Sequence, residues 1–289
     1  MSYLVILLKT SCIIVLTLNL SACSKLLFFP YKQHFLTPEN LGLAYQDVTL
    51  STEDNINIHG WLLPAQGKMK GSIYFLHGNA ENISTHIESV WWLPAKGYQV
   101  FMIDYRGFGK SEGEPGLPEI FLDINAGFQW LLQHSKNKPV FLLGQSIGAS
   151  LGIYFVATNP DTQQHLSAVI SDSAFTDYYE IVRHAAASTW PTWPFQHLAA
   201  RSMDYPYNPI EVIDQISPIP LLLIHGENDS IIPVDHCSLL FAKARQPKKM
   251  LKTSGDHIQT FSNPENRLFV LDFLNHIRLL DTAKTSKNR

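Results

Sequence analysis

Cysteine is nearly missing from this sequence: 289 residues contain three, Cys12, Cys23 and Cys237. They form no C-x-x-C pair, and the 12 histidines make no cluster at ligand spacing along the chain. A zinc finger or ribbon is therefore excluded, and neither a metal nor a cofactor is implied. An excess of charge of one sign is missing too. Lys and Arg number 22 against 25 Asp and Glu, a formal net charge of -3, and no block of like charge exceeds three residues. That balance gives no footprint for a nucleic-acid partner. Repeats and low-complexity stretches are also absent, which leaves a globular chain long enough for one large α/β domain or two small ones.

Only one long hydrophobic run occurs, and it comes first. Tyr3 to Leu20 is almost wholly apolar, interrupted by Lys9 and Asn19. A membrane-spanning helix needs about 20 such residues, but a lysine at its core costs about 3 kcal/mol. A short charged lead followed by Thr10 to Leu20 has instead the proportions of a signal peptide. The next residues, Leu20-Ser21-Ala22-Cys23, resemble the lipobox of bacterial lipoproteins. That resemblance implies cleavage after Ala22, acylation of Cys23 and a lipid anchor in the bacterial cell envelope. Ser24 stands where an aspartate would retain the product on the inner membrane, so the outer membrane is favoured. The alternative is an uncleaved N-terminal anchor with an incidental cysteine. With Cys12 removed and Cys23 acylated, Cys237 is the remaining thiol, so no internal disulfide can form. The expected organisation is signal peptide 1–22, linker 23–40, folded domain 41–281 and flexible tail 282–289.

From Ala44 onwards, strand-like and helix-like segments alternate. The stretch from Ala44 and the stretch Ile56–Leu63 alternate apolar and polar residues, which predicts an antiparallel pair at a sheet edge. Short continuous apolar runs follow at Ser72–Leu76, Gln99–Ile103, Val140–Leu143, Ala168–Ile170 and Leu221–Ile224, the pattern of strands buried on both faces. Helical stretches lie between them, among them Ile120–His134 and Ile147–Thr158. The alternation predicts an α/β fold with a mostly parallel central sheet and helices on both faces. Residues from about 175 to 217 carry no strand signal but include Tyr178, Trp193, Phe195 and four prolines. This interval reads as a helical insertion, either a lid over a site or an element packed for stability alone.

Within V-F-L-L-G-Q-S-I-G-A-S-L-G, Val140 to Gly152, the pattern G-x-S-x-G occurs twice, sharing Gly148. A nucleophile elbow needs a strand, a strained turn bearing the serine, and a helix beginning at once. Ser146 follows the buried run directly and is the candidate nucleophile. Ser150 falls one helical turn later and reads as a packing residue. A serine hydroxyl needs a base, and the base needs an orienting acid. Asp229 follows the run Leu221–Ile224, and His257 follows a short strand around Met250. Three consecutive strand ends would then supply nucleophile, acid and base on the rim where open α/β sheets bind ligands. Asp172, after Ala168–Ile170, is the rival acid. Glu227 and Asp256 read as facing elsewhere, and His77 and His225 read as loop braces. The backbone N–H groups of Ile147 and of Asn79 are expected to hold the oxyanion.

The motifs F-L-H-G-N-A (from Phe75), D-Y-R-G-F-G-K-S-E-G (from Asp104), G-Q-S-I-G (from Gly144), G-E-N-D-S-I-I-P (from Gly226) and G-D-H (from Gly255) resemble the α/β-hydrolase superfamily. The closest likeness is to its serine-aminopeptidase-like branch, over about Gln46 to Leu280. The resemblance implies a Ser-Asp-His triad and a structural role for Arg106 and Ser111. The branch contains esterases, lipases, thioesterases and peptidases, so it leaves the substrate open. The aromatic, neutral insertion favours a small-molecule or lipid ester, without a charged pocket for a peptide terminus. The alternatives are a serine peptidase of the same fold and a non-catalytic envelope-binding lipoprotein.

Overall fold

The computed structural model describes residues 27–188, 191–203 and 205–287. The apolar run, Cys12 and the lipidation candidate Cys23 lie outside these residues. Among the described residues, no helix is long and apolar enough to cross a membrane, and Cys237 is a buried free thiol.

The central sheet has eight strands: β1 (Gln46–Ser51), β2 (Asn57–Leu63), β3 (Gly71–Leu76), β4 (Tyr98–Ile103), β5 (Val140–Gln145), β6 (Leu166–Asp172), β7 (Leu221–Gly226) and β8 (Lys248–Thr253). Their spatial order is β8-β7-β6-β5-β3-β4-β2-β1. β2 runs antiparallel to β1 and β4, and every other pairing is parallel. β1, at the edge, buries alternate residues, whereas β3 to β7 are buried on both faces almost throughout. The difference between alternating and continuous apolar runs in the sequence has this cause.

Successive side chains of a strand point to opposite faces, so the sheet separates two cores. Tyr74, Leu76, Phe101, Leu142 and Val169 pack on one face. There they meet α2 (Ile120–His134) and α3 (Ile147–Thr158), through residues such as Phe128 and Leu151. Ile73, Phe75, Val100, Phe141 and Ile170 pack on the other face, against the long helix Pro264–Lys287 through Val270, Phe273 and Leu274. Burying each such side chain contributes about 1.5–3 kcal/mol. No disulfide is needed to hold the domain.

The other helices are α1 (Ile83–His86), α4 (Pro160–His165), α5 (Tyr178–Ala187), α6 (Gln196–Arg201), α7 (Pro209–Val212) and α8 (Asp235–Lys243), followed by that last helix as α9. The described part of 175–217 holds α5, α6 and α7 and no strand. Aromatic contacts seat its base: Tyr178 meets Phe175 and Tyr205, and Tyr207 meets Tyr154 and Phe121. Trp193, Phe195 and Leu198 at its tip are exposed.

Two sequence expectations are revised. Residues 27–40 are not a free linker: Leu27 and Phe28 are buried in the first core, and Phe28 sits edge-on to Phe108. Phe29–Pro30 adds a short parallel ladder to Ala80–Glu81. The backbone of 282–287 continues α9, where the polar composition suggested a flexible tail.

Candidate active site

Ser146 stands between β5 and the first residue of α3, at φ 55° and ψ -124°. A non-glycine residue there is strained, by an amount on the order of 1–3 kcal/mol, and the turn survives because its surroundings fix it. The Ser146 N–H donates to the Asp172 carbonyl at 2.9 Å, and its own carbonyl accepts from Ala149 and Ser150 at 3.0 and 3.1 Å. A Cβ at Gly148 would collide with the carbonyls of Leu76 and His77, and one at Gly144 with the start of α3. The two glycines flanking Ser146 are thus required by close backbone approach. Ser150 is fully buried, and its Oγ accepts from the Phe175 N–H at 3.1 Å. It braces the insertion, turned away from solvent.

The structure brings the three predicted side chains together from 111 residues apart in sequence. Ser146 Oγ donates to His257 Nε2 at 3.0 Å, and His257 Nδ1 donates to Asp229 Oδ2 at 2.8 Å. The Asp229 side chain is fully buried, and its Oδ1 accepts from the N–H groups of Ile231 and Ile232 at 2.9 and 2.8 Å. Burial alone would raise its pKa, but the hydrogen bonds from His225, His257 and Ile232 hold the carboxyl well below the usual range. Asp172 is occupied elsewhere: it accepts from Gln145 Nε2 at 2.8 Å and from Thr260 Oγ1 at 2.7 Å.

Three details escaped the sequence. The strand ends are not consecutive, because β6 with Asp172 lies between nucleophile and acid. His225 does brace its loop, through Nε2 to the Ile232 carbonyl at 2.8 Å, but the same nitrogen also lies 3.3 Å from Asp229 Oδ2. Burial disfavours its charge, yet the bonds to Asp229, Cys237 and the Ile232 carbonyl together outweigh this and push its pKa up to about 10. Asp256 joins the acid and base loops, accepting from Ser230 N at 2.8 Å and from His257 N at 2.7 Å.

The loop after β3 carries Asn79, and Ile147 opens α3. Neither backbone N–H donates to another described residue, so both are available to an incoming oxygen. His77 is fully buried and donates through Nδ1 to the Gly78 carbonyl at 2.7 Å, as a loop brace should. Burial, with help from nearby His86, pushes its pKa down to about 3. Arg106 binds Asp54 and Asp123, and Ser111 Oγ donates to the Asp104 carbonyl, which makes both structural.

One histidine cluster was invisible to sequence spacing. His34, His59 and Asp104 place possible ligand atoms within 4.8 Å of one another. Their contacts are those of a hydrogen-bond network: Asp104 Oδ2 accepts from His34 Nε2 at 2.9 Å and from His59 Nδ1 at 3.2 Å. Asp104 Oδ1 accepts from the Ile83 N–H at 3.0 Å. Burial opposes the charge on Asp104, but its two imidazole partners hold the carboxyl well below the usual range.

Two clefts border the rim. One of about 580 Å³ runs between the Asn79 loop and the residues after His257, lined by Glu81, His86, Trp91, Ile258 and Arg267. The other, about 430 Å³, lies between the insertion and the loop after β7, lined by Asp177, Glu180, Arg183, His184, Asp235 and His236. The insertion is therefore not neutral at its base, contrary to the sequence reading. Asp177, Glu180 and Arg183 of the insertion stand three residues apart at the start of α5 and along it. They face Asp235 at the start of α8, outside the insertion, so no block of charge marks them in the sequence. A further cavity, about 670 Å³, is at the opposite ends of the strands, by Leu166, Leu221 and Lys248.

Residues 67–208 match the family described as serine aminopeptidase, S33. The uncharacterized protein YfhR of Escherichia coli K12 is 33% identical over 239 residues, 79% of this chain and 80% of its own length. An esterase of Pyrococcus furiosus superposes with a TM-score of 0.68 at 21% identity, over 87% of this chain and 96% of that one. The chain belongs to the α/β-hydrolase superfamily. Another α/β-hydrolase, the domain-containing protein WAV2 of Arabidopsis thaliana, is 29% identical over 80% of this chain and 78% of its own. As an α/β-hydrolase, the chain is a hydrolase acting on small-molecule substrates.

Proposed function

We propose that this hydrolase cleaves carboxylic esters or thioesters through an acyl-enzyme, at a membrane surface to which acylated Cys23 tethers it. The observation that carries the chemistry is the continuous hydrogen-bonded chain from Ser146 Oγ through His257 to Asp229. In this reading Ser146 Oγ attacks the carbonyl carbon as His257 Nε2 takes its proton. Asp229 fixes the Nδ1–H tautomer and stabilises the imidazolium. The Ile147 and Asn79 N–H groups hold the tetrahedral oxyanion. On collapse, His257 returns the proton to the departing alcohol or thiol. Water then attacks the acyl-Ser146 ester, giving up its proton to His257, and the acid leaves as Ser146 is reprotonated.

A fluorophosphonate probe should label the wild type and leave Ser146→Ala unlabelled. The absence of labelling in folded wild type would favour a binding lipoprotein instead. A panel of p-nitrophenyl esters of rising acyl length then reads the substrate preference. The tether is tested separately: wild-type Cys23 should incorporate labelled palmitate and fractionate with the outer membrane, while Cys23→Ser should do neither. A plain helical anchor predicts membrane fractionation without label. The charged cleft at Asp177, Glu180 and Asp235 favours a second reading, a peptidase holding a substrate amine. Turnover of aminoacyl p-nitroanilides faster than of the matching esters would select it.

A further inference from the structure

We propose that residues Leu27–Phe35 form a strap that positions the Asn79 oxyanion donor, making this segment part of the catalytic apparatus. The proposal rests on the hydrolase reading above, and its test separates the two. The loop Asn79–Asn82 is irregular and carries a non-glycine residue at positive φ, Glu81 at 61°. Such a loop does not hold a donor still by itself. The strap covers its whole length. Phe29 N–H donates to the Asn79 carbonyl at 2.9 Å, and Asn79 Nδ2 donates back to the Leu27 carbonyl at 3.1 Å. Tyr31 N–H donates to the Glu81 carbonyl at 3.1 Å. Asn82, fully buried, gives Nδ2 hydrogens to the Tyr31 and Gln33 carbonyls, both at 2.8 Å. Its Oδ1 meanwhile caps α1 at the Ser84 N–H, 3.0 Å away.

Both ends of the strap are fixed to the domain. Leu27 and Phe28 are buried at one end. At the other, Asp104 takes His34 of the strap on one oxygen and the Ile83 N–H, just past the loop, on the other. A single buried carboxylate thus ties strap and loop together. The bonds to Asn79 engage its carbonyl and its side chain, and among the described residues its N–H has no acceptor. An oxyanion donor is effective because its orientation is set before the reaction, and losing one costs about 10²–10³ in kcat. Loosening the strap should cost part of that, roughly 10- to 100-fold.

The test uses the full chain and a soluble p-nitrophenyl ester. Asn82→Asp keeps the cap on Ser84 but removes both donors to the strap. His34→Leu removes the bond to Asp104, and His34→Gln restores an N–H donor there. Asn82→Asp and His34→Leu should lower kcat by roughly 10- to 100-fold with KM changed by no more than about twofold. The inhibition constant of an arylboronic acid, whose tetrahedral oxygen occupies the same donors, should rise by the same factor as kcat/KM falls. His34→Gln should recover most of both. The His34 pair carries the test if Asn82→Asp does not fold. If the variants only melt earlier, with kcat and boronate inhibition at wild-type values, the strap is structural and the proposal is wrong. If the wild type itself turns over no ester, the ester reading of the function fails first and takes the strap proposal with it.

Discussion

At the scale of single residues, two serines four positions apart have opposite fates. Ser146 is strained and hydrogen-bonded to an imidazole, whereas Ser150 is sealed between α3 and the insertion. Ser146→Ala should therefore lower turnover by on the order of 10⁶, while Ser150→Ala should keep most of the activity and lose stability instead. Equal loss from both folded variants in a steady-state ester assay would overturn this. The two aspartates divide in the same way. Asp229→Asn puts an amide where His257 Nδ1–H needs an acceptor, and the wrong tautomer costs about 10⁴ in a comparable triad. Asp172→Asn should be mild, because its partners are Gln145 and Thr260 and not the base. The sequence favoured Asp229, but strand-end position could not separate it from Asp172, which also follows a strand; the hydrogen bond from His257 does. The contact of His225 with Asp229 was not legible, because it depends on the fold of an eight-residue loop, His225 to Ile232.

At the scale of elements, the parallel strands and main helices were legible because period and burial coincide: continuous apolar runs became β3 to β7, and Ile120–His134 and Ile147–Thr158 are helices with those bounds. The strap was illegible for a physical reason. Most of its contacts set a backbone group of the strap against a partner about fifty residues away, and backbone groups leave no mark on composition. Adjacent aromatic residues show the consequence. Phe28 is 2% exposed and Phe29 is 59% exposed. Removing a buried phenylalanine ring costs about 3 kcal/mol, or about 6–12 °C in a domain of this size. Phe28→Ala should show that drop in thermal melting, and Phe29→Ala should lie within about 0.5 kcal/mol of wild type. A chain begun at residue 30 loses both and should melt early, so it is a poor proxy for the free enzyme. Equal melting of the two alanine variants would mean that the segment is not seated.

At the scale of the whole molecule, buried titratable groups set the response to acid. The folded pKa of His77 is about 3, against about 6.5 when unfolded. Between those values the unfolded chain binds the extra proton, so stability falls as the pH drops through that window. Asp104 and Asp229 are depressed carboxylates, whose contributions are complete above about pH 4 and vanish as the pH falls towards their folded values. Melting temperature should thus decline in two stages on acidification. His86 and His236, also held down by burial, share the first stage. His77→Phe should therefore remove part of it and Asp104→Asn part of the second, and a profile unchanged in both variants would refute the assignment. The long span between nucleophile and base has a consequence in time. Ser146 and His257 are 111 residues apart, and chains grow at about 5–20 residues per second. A nascent chain therefore carries its serine for about 6–20 seconds before its base is made. The elbow and the loop beneath the strap, both encoded earlier, can settle in that interval while the hydroxyl is chemically dormant. Synthesis itself acts as the safety catch, because a chain released before His257 carries the serine without the base that would activate it.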